Sequence, residues 1–240
     1  IQYCQAINTT YGCTRADVIM QNHSRVFDED GIFVTMHEYG HSFHHRAIES
    51  LPGTYRCDPA GHNIDVPYNL SCAFVEGFAD FFAVYLLASR LTNTWYSDYT
   101  IESRAFYGSN GLITEGAAAG FFYDLVDGTG QPDSYSNTVS EESFDTAAYP
   151  ASFIANIMAN CQPYYRTSTG SVVYANILDG MDQVVYCIEG NVSAETVGPS
   201  YGSGWRTTWE GVSWNPTFSY PTGFNSATVR KLWQWNFYGA

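Results

Sequence analysis

Residues 73–88 read Ala-Phe-Val-Glu-Gly-Phe-Ala-Asp-Phe-Phe-Ala-Val-Tyr-Leu-Leu-Ala, an apolar run broken by charge only at Glu76 and Asp80. A helix that is apolar nearly all round must be buried against its neighbours. The run is short of a membrane span and its two acids argue against one, so a buried core helix is expected instead of a transmembrane segment. Ser71 is placed to cap this helix, which should run to about Arg90. Two carboxylates on such a helix are costly unless each is paired or bound to a metal. Glu76 and Asp80 stand four residues apart and so share one face. The bland alternative is that both simply pair with arginines.

A second feature gives those acids something to meet. His37-Glu38-Tyr39-Gly40-His41 places two imidazoles at i and i+4 on one helical face, where both can reach a single metal ion. Glu38 projects from the adjacent flank and can touch a metal-bound water without ligating the ion. Two histidines and a glutamate can also make an ordinary polar helix face. A third ligand is required, and the pattern that would put Gly at position 44 and His at position 47 fails, because these are His44 and Ala47. Glu76 can supply it, giving a two-His, one-Glu zinc site with an open position for water. Asp80 can then accept the Nδ1 proton of a ligating histidine and fix its tautomer.

Taken together, His37-Glu-Tyr-Gly-His41 and Glu76-Gly-Phe-Ala-Asp80 resemble the gluzincin metallopeptidases, of which thermolysin and fungalysin are familiar members. The pair looks most like the secreted bacterial and fungal branches. The similarity covers roughly Asp30 to Ala88, and a looser likeness continues through Glu115-Gly-Ala-Ala-Ala-Gly-Phe-Phe-Tyr-Asp-Leu-Val-Asp127. By that resemblance His37, His41 and Glu76 are zinc ligands, Glu38 is the general base and Asp80 is the partner of His37. The fold it implies is α+β and mainly helical: a zincin-like domain over residues 1–240, with a small N-terminal sheet, a helical C-terminal part, and a cleft between 1–50 and 71–240.

The chain also departs from that pattern. Thermolysin-like enzymes carry a later histidine that steadies the oxyanion, and no histidine follows His62 here. A tyrosine or arginine must take that role, or it is lost; Tyr123, Tyr149, Tyr164 and Tyr165 are candidates. The stretch between His41 and Glu76 is longer than in those enzymes, and a Cys57–Cys72 bridge would tether it beside the cleft. The segment before His37 is too short for a large N-terminal subdomain, so the upper sheet is expected to be minimal, or part of the natural chain is missing.

The expected reaction is hydrolysis of peptide bonds. Zinc activates a water and polarises the scissile carbonyl, while Glu38 takes the water proton and delivers it to the leaving nitrogen. An extended peptide would pair with an edge strand above the active helix, and Val18 to Asn22 is the candidate strand. Two other readings keep the zinc: hydrolysis of esters or small amides, and a non-catalytic adhesin or toxin domain that the metal stabilises.

Composition narrows the setting. Ten basic residues against 24 acidic ones give a net charge of -14, which would repel phosphate backbones and anionic membranes. Partners are therefore expected to be a protein or peptide substrate, with no nucleic acid and no membrane, and the chain a monomer. Six cysteines without a C-x-x-C pair suggest disulfides in an oxidising compartment, most simply Cys4–Cys13, Cys57–Cys72 and Cys161–Cys187. Sequons begin at Asn8, Asn22, Asn69 and Asn191, which suits a secreted chain. The chain opens Ile-Gln-Tyr-Cys with no charged-then-apolar leader, so either a signal has been removed or the chain is trimmed.

No internal repeat or linker divides the sequence. Helices are expected over Ile32 to Ser50, Glu115 to Val126, Ser143 to Cys161, Ala175 to Ile188 and Ser226 to Trp235, with an ordered loop over Thr196 to Phe224. Lesser candidates remain. His44 and His45 could serve a second metal, but polar packing or exposure at the helix end suits them better. His23 and His62 read as loop residues. Asp28, Glu29 and Asp30, or Asp124, Asp127 and Asp133, are weak calcium candidates without EF-hand spacing. The Trp205 to Trp214 loop could bind carbohydrate, although aromatics at this density are more often anchors.

Overall fold

The computed structural model describes residues 13–15, 18–20, 29–47, 64–87, 101, 108–128, 146–175, 178–189, 210–214 and 218–238. The elements in chain order are β1 (Cys13–Arg15), β2 (Val18–Met20), α1 (Glu29–Ala47), α2 (Leu70–Leu87), a 3-10 turn (Gly108–Ile113) and α3 (Glu115–Asp124). They continue with α4 (Ala151–Asn160), β3 (Cys161–Arg166), β4 (Val172–Tyr174), α5 (Met181–Glu189), β5 (Gly211–Trp214) and α6 (Ser226–Tyr238). The architecture is mainly helical with small antiparallel sheets.

Helix α2 is the axis of the fold, with α1 packed along one side and α3 along the other. Phe74, Phe78 and Phe81 of α2 are buried and meet Phe122 of α3 at ring separations of 6.4, 5.8 and 5.8 Å. Each such side chain contributes roughly 1.5–3 kcal/mol by leaving water, so this aromatic layer accounts for a large part of what holds the helices together. The α2 helix is long and apolar enough to cross a bilayer, three residues longer at its start than the sequence run suggested, yet 83% of it is buried inside the protein. Its amino end is capped by Asn69, whose Oδ1 accepts the Cys72 N–H at 2.8 Å, and not by Ser71.

Two glycines set how closely the three helices approach. A Cβ on Gly40 of α1 would lie 2.9 Å from the Ala79 Cα of α2. A Cβ on Gly77 of α2 would lie 2.6 Å from both the Ala118 Cβ and the Glu115 carbonyl oxygen of α3. Neither position has room for a larger residue, and it is this closeness that sets the side chains of α1, α2 and α3 within reach of one another.

The β1–β2 hairpin pairs Cys13 with Met20 and packs on α1, so the expected N-terminal sheet is present as two short strands. The C-terminal part is not all helix. The sequence predicts a helix from Ser143 and another from Ala175, but residues 146–150 are not helical and α4 begins at Ala151, while α5 begins only at Met181. Between them β3 leaves α4 directly and becomes the centre of a sheet ordered β4-β3-β5, with Tyr164 opposite Tyr174 and Cys161 opposite Trp214. The β-branched and aromatic run of 161–174, which lies between the two expected helices, has strand propensity, and Gly170, at φ +83°, makes the hairpin turn. Trp214, read as part of a surface loop, lies on β5 and stacks on Phe218 at 4.1 Å, as an anchor would.

A disulfide between Cys161 on β3 and Cys187 on α5 ties this sheet to the helical layer, with the Cα atoms 6.1 Å apart. Cys72 is also disulfide-bonded, although its proposed partner Cys57 lies outside the described residues, as do Cys4 and the Cys13 side chain. Substituting Gly77 by Ala should lower the unfolding free energy by about 1–3 kcal/mol, read by urea denaturation, because neither the Ala118 Cβ nor a helix backbone can yield. Unchanged stability would show that α2 and α3 are not packed this closely.

Candidate metal centre

The face that α1 turns to α2 carries His37, His41 and His44 at helical spacing, and α2 answers with Glu76 and Asp80. Gly40 sits within that face and brings the two backbones together. The His37 Nδ1–H donates to Asp80 Oδ1 at 2.7 Å. The Nε2 atoms of His37 and His41 lie 3.0 and 3.1 Å from one and the same oxygen of Glu76. The imidazole centroids are 4.7 Å apart and the rings stand at 88° to each other. One ligand atom from each of His37, His41 and Glu76 lies within 4.8 Å of the others. His41, Glu76 and Asp80 are buried, and His37 and Glu38 are half-buried.

The electrostatics follow from burial against charge. Burial alone would push the Glu76 carboxyl up, but the charge of His41 and hydrogen bonds from both histidines outweigh it and hold the carboxyl well below its usual range. Burial likewise pulls His37 down, and the charge and hydrogen bond of Asp80, with those of Glu76, overcome it and hold the imidazole well above its ordinary value. Each group thus favours the charged form of the other.

The donor set suits a divalent cation. With Nδ1 of His37 committed as a donor, its neutral Nε2 offers a lone pair, and that lone pair faces a carboxylate oxygen that has no proton to give. The contact is repulsive unless an added proton or a cation lies between them. Two imidazole nitrogens and a carboxylate oxygen are the ligand set that zinc accepts with a position left open. His37, His41 and Glu76 would hold the ion, and Asp80 would orient His37.

A third carboxyl belongs to this cluster and was not singled out from the sequence. Glu115, in the first turn of α3, is buried and hydrogen-bonds Asp80. Burial, reinforced by the charges of Asp80 and Glu76, pushes its carboxyl well above the ordinary range. The signal was present: Glu115-Gly-Ala-Ala-Ala-Gly-Phe-Phe places an acid in an otherwise apolar helical stretch, as the run with Glu76 and Asp80 does, and the same burial argument applies to both.

Several lesser candidates lie elsewhere. His44 is not exposed: it is wholly buried, neither ring nitrogen has a hydrogen-bond partner among the described residues, and its ring packs on Phe74 and Phe78 at 4.5 and 5.2 Å. Tyr149 is committed to the Asn225 N–H, which its hydroxyl accepts at 3.0 Å, and Tyr164 lies on β3 against Tyr174 and Gly211. Asp124 is buried and accepts a hydrogen bond from Asn236 of α6, which ties the two helices together. Asp28 and Asp133, His23 and His62, and Trp205 lie outside the described residues.

Residues 5–176 match the mycolysin C-terminal domain family, and the matched stretch contains all of His37, Glu38, His41, Glu76, Asp80 and Glu115. The chain belongs to that family. Domains of this family occur in secreted thermolysin-like metallopeptidases, which relates the chain to that group. The family's description gives a place within a longer protein and names no activity. No curated protein and no solved structure matches the chain.

Burial, with the charges of His41 and His45 adding to it, pulls His44 from 6.5 down to about 3. Its folded-state value is depressed, so the stability its neutral form gives is complete above 6.5 and lost as pH falls towards 3, by about 1.4 kcal/mol per unit. In His44→Leu the fall in urea unfolding free energy between pH 7 and pH 5 should shrink by about 2 kcal/mol relative to wild type. An equal fall in both proteins would show that His44 is solvated.

Proposed function

We propose that this domain is a secreted zinc-dependent endopeptidase of the gluzincin type. The observation that supports it most is the convergence of both Nε2 atoms on one Glu76 oxygen, with Asp80 holding the far side of His37. Bound there, zinc supplies a Lewis acid that polarises a carbonyl and makes a water acidic enough to lose its proton near neutral pH. The rest of the chemistry falls to the protein's own groups. Glu38 follows His37 on α1 and is half-buried at the rim, where it takes the proton of the attacking water and passes it to the leaving nitrogen. Asp80 keeps the His37 proton on Nδ1 and so leaves Nε2 free to ligate. The β1–β2 hairpin packs on α1, and β2 pairs only with β1 among the described residues, so its other edge can take an extended peptide as an added strand.

Secretion agrees with the Cys161–Cys187 disulfide, since such bonds persist in oxidising compartments. The low content of basic residues agrees with a partner that is neither nucleic acid nor an anionic membrane.

Glu38→Gln should bind one equivalent of zinc as the wild type does and lose peptide hydrolysis by at least about a hundredfold, the lower range for a general acid–base group. Glu76→Ala should lose the zinc itself, read by metal analysis after dialysis. Comparable turnover by wild type and Glu38→Gln would overturn the mechanism. On a mixed-sequence peptide pool read by mass spectrometry, the zinc-loaded wild type should make internal cuts that Glu38→Gln does not. Cleavage confined to matched esters would move the substrate class away from peptides.

A further inference from the structure

We infer that Glu115 is a positioning residue of the metal centre, donating a hydrogen bond to Asp80 and so fixing the Asp80–His37 pair from behind. The inference rests on the zinc reading and extends it to a residue on a third helix. Its basis is geometric. Glu115 begins α3, whose first turn lies directly against Gly77, where an added Cβ would come within 2.6 Å of the Glu115 carbonyl oxygen. Glu76, Gly77 and Asp80 therefore lie against the turn that carries Glu115, and the Glu115 carboxyl reaches Asp80. Asp80 already accepts the His37 Nδ1 proton through Oδ1. Two carboxyl groups joined by a hydrogen bond need a proton between them. Asp80 already accepts from the imidazole, so Glu115 is the donor of this pair.

The arrangement pins the Asp80 side chain from both ends, by His37 on α1 and Glu115 on α3, so the orientation of a candidate ligand depends on all three helices.

Zinc affinity, measured by competition with a chromophoric chelator on full-length protein, tests the inference without requiring activity. Glu115→Ala should weaken zinc binding by about 10–100-fold. Glu115→Gln, whose amide still donates to Asp80, should stay within about threefold of wild type. In an Asp80→Ala background, Glu115→Ala should cause no further loss, because the path through which it acts is already gone. Circular dichroism and thermal unfolding of the zinc-free proteins identify any variant that fails to fold, and Glu115→Gln carries the test if Glu115→Ala does. Wild-type affinity in Glu115→Ala would overturn the inference, as would a folded Glu115→Gln bound tenfold more weakly, or an undiminished effect in the Asp80→Ala background. Failure of the wild type to bind zinc would instead overturn the zinc reading, which separates the two.

Discussion

Burying carboxylates inside an aromatic helix is the constraint around which the rest of the molecule is arranged. Glu76 and Asp80 lie on α2, which is otherwise wrapped in phenylalanine, and neither can be hydrated there. The charge must be answered by side chains brought from outside the helix. Helix α1 answers with His37 and His41, and α3 with Glu115. The close contacts at Gly40 and Gly77 follow, since imidazole and carboxyl groups meet at hydrogen-bond distance only when the backbones nearly touch. The chemistry and the packing are thus one problem solved by the same residues.

Burial also explains why histidines on one helical face have unlike fates. His37 meets two carboxylates that favour its charged form, whereas His44, farther along α1, packs on Phe74 and Phe78 and is held neutral. Spacing decides which side chains share a face. What that face meets decides the protonation state, and a single sequence does not print it.

That distinction marks how far the sequence was legible. The core role of α2, the pairing of His37 and His41 with Glu76, and the contact of Asp80 with His37 all follow from i, i+4 spacing and the cost of buried charge, and the geometry has them together. The Cys161–Cys187 bond was legible as a pairing of neighbours. Glu115 obeyed the same rule as Glu76 but fell within a segment valued only for its likeness to a family. The β3–β4–β5 sheet was missed because its short strands, Cys161–Arg166 and Val172–Tyr174, abut helices and their apolar residues fit either period. Asn69 was passed over as a cap because Ser71 lay closer to the apolar run. No periodicity distinguishes an oxyanion-steadying tyrosine among 19.

The two glycines in His37-Glu-Tyr-Gly-His41 and Glu76-Gly-Phe-Ala-Asp80 sit where backbones touch, and neither carries a group that could react. They answer to a different pressure from their neighbours. A relative with no use for Glu38 would be free to exchange it, yet it would still have to keep Gly40 and Gly77 or reshape Ala79 and Ala118 in step. The half-erased motif in such a relative would still record the distance between helices.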